Sequence, residues 1–234
     1  MCILSEVQVH VEGWSVQQVE RPETNGQASL PSWLCPFLSA AARQQFNQGK
    51  IGTSTKPFEA TILFGDVVNS SQLFVHYPPA AVVRQLNRFF TVAQTIIHRH
   101  YGFTEKLLGD GLLAVFIDAG AALRAARIIQ ETLADFNAWQ PERDERPLLA
   151  RIALDSGSVI LTSLGGPWRL DHTVVGVPVN AASHLLRFAR PGEVWFTQAT
   201  RDRLDDTDLL TEASLVGLKG YARSQTVYRL AGGF

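Results

Sequence analysis

From Phe58 to Phe64 apolar and polar residues alternate and β-formers dominate, which predicts a strand running into Gly65-Asp66. After Pro78-Pro79 the spacing changes. Val82, Leu86, Phe89, Phe90, Ala93, Ile96 and Ile97 recur at helical intervals, so an amphipathic helix is expected, opened by proline and closed near Gly102. Two apolar runs follow, Phe103–Leu108 and Leu112–Ile117, separated by Gly109-Asp110-Gly111. Asp-Gly between apolar runs signals a tight hairpin, because both turn positions favour positive φ. Ala119–Trp139 reads as an alanine-rich helix with Ala122, Ala125, Ile129, Leu133 and Phe136 toward the core. Gln140–Pro147 is a charged loop and Leu148–Asp155 a fourth strand.

The order βαββαβ predicts an α+β fold of the ferredoxin-like type, with further strands and helices after it. In that topology the first and third strands are antiparallel neighbours. The end of the first then lies beside the start of the third, which brings Asp66 and Asp110 to one sheet edge. Beyond this core, Arg151–Leu164 reads as strand, turn and strand around Asp155-Ser156-Gly157, and Gly165-Gly166-Pro167 as a loop. A helix over Pro178–Arg190 places Asn180, His184 and Arg187 at i, i+4 and i+7 on one face. Glu193–Thr197 is a strand, and Leu215–Lys219 closes the sheet with Val227–Leu230. Residues 1–57 form a separate arm, with a polar linker at Glu20–Ser29 and a short helix at Pro36–Gln48, ahead of one domain over 58–234.

Composition narrows the function. The 234 residues are 46% apolar, enough for a sizeable core, and the net charge of −1 gives no basic track for nucleic acid or an acidic membrane. No apolar run approaches the ~20 residues of a membrane span. Cys2 and Cys35 are far apart and form no CxxC, and the start Met-Cys-Ile-Leu-Ser-Glu lacks a signal peptide's pattern, so a reduced cytoplasmic chain is expected.

Two convergent carboxylates suit hard divalent cations such as Mg²⁺ or Mn²⁺, which leave sites open for phosphate oxygens. Two such ions activate an attacking hydroxyl and stabilise a leaving group. Glycosidase-type acid and base work is the weaker alternative, and an N-cap at Asp66 with a plain turn at Asp110 is the bland one.

Several stretches together resemble the class III nucleotidyl cyclase catalytic domain. They are Phe64-Gly65-Asp66-Val67, Lys106-Leu107-Leu108-Gly109-Asp110-Gly111, Thr173 through Ala182, and Leu218-Lys219-Gly220. The resemblance implies a head-to-tail homodimer with active sites at the interface, acting on a nucleoside triphosphate for a downstream cyclic-nucleotide receptor. Asp66, Val67 and Asp110 of one protomer would hold two divalent ions. Lys106 and Thr173 of the other would contact the base, with Phe64 and Lys219 also at the nucleotide. Asn180 would orient the ribose. Lysine donates only and adenine N1 accepts, so ATP to cyclic AMP is the literal reading. Lys106 donates equally well to a uracil carbonyl, and small cyclases with altered sites resemble the pyrimidine cyclases of bacterial anti-phage defence, which make cyclic UMP or cyclic CMP. Where the family carries a transition-state arginine, four residues after the asparagine, this chain has His184. Arg187, one turn on, is the alternative carrier of that charge. Asn69-Ser70-Ser71 replaces the usual Gly-Phe-Thr, and Tyr221 stands where another basic residue is common. These departures leave a catalytically degenerate dimer module as a further alternative.

Overall fold

A computed structural model describes residues 8–11, 14–17, 57–138, 147–166, 169–204, 211–218 and 223–230. A small antiparallel hairpin, β1 (Gln8–Val11) with β2 (Trp14–Gln17), lies in the N-terminal arm. The helix expected at Pro36–Gln48 falls outside the described residues.

The domain begins with β3 (Phe58–Val67), α1 (Ser70–His76), α2 (Pro79–Arg99), β4 (Phe103–Leu108), β5 (Gly111–Phe116) and α3 (Ala119–Ala138). It continues through β6 (Ala150–Gly166), β7 (Arg169–Val175), α4 (Val177–Leu185), β8 (Val194–Thr197), α5 (Gln198–Arg201), β9 (Thr211–Val216) and β10 (Gln225–Leu230). The strands run β4-β5-β3-β6-β8-β10-β9, with β7 paired to β6. The first four reproduce the expected ferredoxin-like order. β9 and β10 close the sheet in register, as the pattern near Leu215 and Val227 suggested.

Alternation along β3 sends neighbouring side chains to opposite faces. Leu63 joins Phe89, Ile97, Ile129 and Ile152 under α2 and α3, whereas Ile62 joins Phe103, Leu113, Val115, Val174 and Ala182 under α4 and β7. Each large apolar side chain buried this way contributes roughly 1.5–3 kcal/mol.

The structure corrects two local readings, of residues 151–164 and of the helix after Pro178, and refines the picture at two other places. Residues 151–164 do not turn: β6 is one strand of 17 residues that also absorbs Gly165 and Gly166. The polar triplet that signalled a turn is instead satisfied in the core. The fully buried Asp155 carboxylate accepts from the Thr197 hydroxyl and from the Ser156 N–H at 2.9 Å, and the Ser156 hydroxyl bonds Thr61 and Thr200. The long helix ends at Arg99 and closes next to Gly102 as expected, with Tyr101 taking the left-handed position at φ 61°. The Tyr101 N–H bonds the His98 carbonyl and the Gly102 N–H bonds that of Ile97, a Schellman pattern. Gly102 serves packing instead, since a Cβ there would lie 2.4 Å from the Phe116 ring. Helix α1 had no sequence signal, because Leu73 and Ser70 are its only buried residues and Phe74 and Val75 are exposed. Finally, α4 stops at Leu185 and tightens into a 3₁₀ turn at Leu186–Phe188, so Arg187 does not continue the α-helical face of Asn180 and His184.

Candidate active site

The β3–β5 ladder pairs Asp66 with Gly111, and the Val67 N–H donates to the Asp110 carbonyl at 3.1 Å. The two aspartates are therefore neighbours across adjacent strands, as the topology required. The hairpin turn is Gly109-Asp110, closed by the pair Leu108 and Gly111, one residue earlier than Asp-Gly alone suggested. Only Gly109 has positive φ, at 67°. Glycine at the first of two turn positions is the type II′ pattern. Gly111 has another task. A Cβ there would lie 2.8 Å from the Gly65 carbonyl and 3.1 Å from the Asp66 Cβ, so its bareness lets β5 close on β3 beside the carboxylate.

Two further groups hold the aspartates, and neither was anticipated. Arg151 lies opposite Asp66 in the β3–β6 ladder and forks onto it, Nε to Oδ1 at 2.7 Å and Nη2 to Oδ2 at 3.0 Å. This hydrogen bonding raises the Arg151 pKa above its ordinary value. Partial burial opposes that, and the charges of Asp66 and Asp110 both reinforce it. One guanidinium thus offsets the repulsion of two carboxylates. The Ser70 hydroxyl, at the start of α1, donates to the Asp110 carboxylate. Arg151 was legible only through register: once Asp66 faces the fourth strand, its cross-strand neighbour is fixed.

The oxygen-only donor set of Asp66 and Asp110 fits hard divalent cations. Among the described residues no group of three or more His, Cys, Asp or Glu clusters as a metal site would, so the side-chain donors here are the two aspartates. Val67 adds no side chain to this site, being buried in the core at 3% exposure. Phe64 is half-buried and packs against two apolar clusters on the α4 face of the sheet.

The remaining candidates stand elsewhere. Lys106 is on β4 opposite Leu113, with its Nζ 3.7 Å from Glu105 Oε1. Thr173 is on β7 opposite Thr162. From Arg151, level with Asp66, to Thr162 is eleven residues of one strand, about 36 Å of contour. Asn180 is exposed on α4, whereas His184 is half-buried with its ring edge-on to Phe188 at 5.9 Å. Arg187 is exposed on the 3₁₀ turn. Lys219 lies outside the described residues.

Residues 54–232 match the sequence profile of the family described as "Adenylate and Guanylate cyclase catalytic domain". An uncharacterized protein of Mycobacterium tuberculosis (strain CDC 1551 / Oshkosh) is 34% identical over 173 residues, covering 69% of this chain and 30% of its own length. The chain thus spans less than a third of that curated relative. Among solved structures, a bacterial light-regulated adenylyl cyclase superposes with a TM-score of 0.71 at 25% identity, over 85% of this chain and 60% of its own. The adenylyl cyclase CyaB from P. aeruginosa gives 0.70 at 22%, over 76% and 96%. The guanylyl cyclase Cya2 gives 0.69 at 23%, over 77% and 95%. Neighbours of both base types share this fold, so the fold does not choose between adenine and guanine.

Proposed function

The chain belongs to the adenylate and guanylate cyclase catalytic domain family, and from that premise we propose that it is a two-metal nucleotidyl cyclase. It converts a nucleoside triphosphate to a 3′,5′-cyclic mononucleotide and pyrophosphate. The observation that carries the reading is the β3–β5 register, which sets Asp66 against the hairpin bearing Asp110.

Asp66 and Asp110 are the residues that would hold two divalent ions, either Mg²⁺ or Mn²⁺. Bound there, such ions supply Lewis acidity to the attacking ribose hydroxyl and to the phosphate oxygens. Arg151 keeps a permanent positive charge beside both carboxylates and offers a planar fork to triphosphate oxygens. Ser70 fixes the Asp110 carboxylate. Lys106 and Thr173 read the base, with ATP as the substrate their identities favour, and Asn180 orients the ribose. Arg187 supplies the second phosphate charge in place of His184, because a guanidinium is always protonated and an imidazole is not.

The length of β6 supports a head-to-tail homodimer. One chain carries its metal carboxylates at one end of that strand and its Thr173 at the other, so each nucleotide draws on both protomers.

The test is incubation of the purified protein with each of the four NTPs and Mn²⁺, followed by identification of products by mass spectrometry. Cyclic AMP is the expected main product. Cyclic UMP or cyclic CMP would transfer the assignment to a pyrimidine signal. No cyclic product from any NTP, with nucleotide binding retained, would establish the degenerate module instead.

A further inference from the structure

Strand β4 is irregular where it carries Lys106. Phe103 faces Val115 and Thr104 faces Ala114, yet Lys106 faces Leu113, so Glu105 is the extra residue of a β-bulge. The bulge decides which face of the sheet the lysine serves. Leu113, Val115 and Phe103 pack on the side of β7 and α4, with Val174 and Ala182. Leu112 and Ala114 pack on the side of α2 and α3. Uninterrupted alternation from Phe103 would set Lys106 opposite Leu112, on the helix-covered side. One inserted residue instead gives it the side of Leu113, on which the elements carrying Thr173 and Asn180 pack.

Glu105 does more than fill the bulge. Its side chain is 4% exposed, and its Oε1 lies 3.7 Å from the ammonium of Lys106, a side chain itself only 21% exposed. A carboxylate withdrawn this far from water demands a nearby counter-charge. The lysine that compensates it is not free to sweep the surface as a long, hydrated side chain does. We propose that Glu105 is a positioning residue for base selection, fixing through the bulge and the ion pair where Lys106 presents its ammonium. The inference rests on the reading of Lys106 as a base-contacting group.

The experiment compares full-length wild type with Glu105→Gln, which keeps the side chain's shape and deletes its charge. Steady-state kinetics with all four NTPs are the readout. For the preferred NTP, Glu105→Gln should raise KM about tenfold with kcat held within about twofold, and its preference over the next NTP should fall about tenfold. Mn²⁺ affinity, read by electron paramagnetic resonance, should stay at the wild-type value because the carboxylates at the metal site are untouched. Glu105→Asp, which retains the charge, should keep most of the preference, a pattern that loss of packing alone would not give. If Glu105→Gln melts too early to assay, Glu105→Met deletes the charge on an unbranched chain and replaces it. The companion is the double variant Glu105→Gln/Lys106→Met, which leaves no uncompensated carboxylate. If the double variant alters base preference and Glu105→Gln does not, the inference is overturned and the reading of Lys106 stands. If the double variant keeps the wild-type preference, the reading of Lys106 fails and the inference fails with it.

Discussion

The two ends of β6 are built differently. At its start the strand has β3 on one side and β8 on the other, and Arg151 ties it to Asp66 while Ser70 holds Asp110 from above. Past Val159 its only ladder partner among the described residues is β7, and the resulting arm leaves Leu164, Val175 and nearby Val177 exposed at 51%, 42% and 46%. The first end is completed within one chain: backbone register, an ion pair and a hydroxyl set the carboxylates before any ligand arrives. The second presents Thr173 and Asn180 on elements whose outer surface is open. The carboxylates proposed to hold metal therefore belong to the rigid half, with Lys106 near them through the Leu113–Phe64 register, whereas Thr173 belongs to the open half.

The contrast can be broken most directly at the rigid end. Asp66→Ala and Asp110→Ala should each lower turnover by at least about a thousandfold and weaken Mn²⁺ binding, because each removes a charged oxygen donor. Full turnover in either variant would remove the metal assignment. Mixing inactive Asp110→Ala with inactive Asn180→Ala sharpens the comparison. Random pairing leaves one intact site in half the dimers, so activity should return to about a quarter of wild type if the two ends serve one nucleotide from different protomers. A mixture as inactive as its components would refute that arrangement.

A smaller effect separates the two basic groups near α4. Arg187→Ala should cost about thirtyfold in kcat, and His184→Ala less than about threefold, since only the first deletes a permanent charge. Equal small losses would deny Arg187 its role.

The smallest change carries an unusual sign. Arg151→Ala should tighten Mn²⁺ binding about fivefold, because a half-exposed pair worth on the order of 1 kcal/mol no longer competes for Asp66, while the affinity for NTP falls. Weaker Mn²⁺ binding in this variant would show that Arg151 organises the carboxylates more than it occupies them.

Much of this was legible in the chain's own order. The switch from alternating to helical spacing, with proline before α2 and Gly-Asp-Gly between two apolar runs, was enough for βαββαβ. That topology placed Asp66 beside Asp110 with no knowledge of side chains, because strand order and antiparallel pairing fix which ends meet. What misled were local signals that tertiary contacts overrode. Asp155-Ser156-Gly157 resembles a turn until Thr61, Thr197 and Thr200 satisfy its polar groups inside the sheet.

The carboxylate pair, the core faces and the family pattern follow from the order of residues alone, since they depend on periodicity and on strand order. The grip of Arg151 on Asp66, the reach of Ser70 to Asp110 and the bulge at Glu105 that turns Lys106 to the face of β7 and α4 emerge only in the folded chain. Each depends on register across strands distant in sequence. A shift of one residue there exchanges the two faces of a strand without altering a single letter of the local pattern.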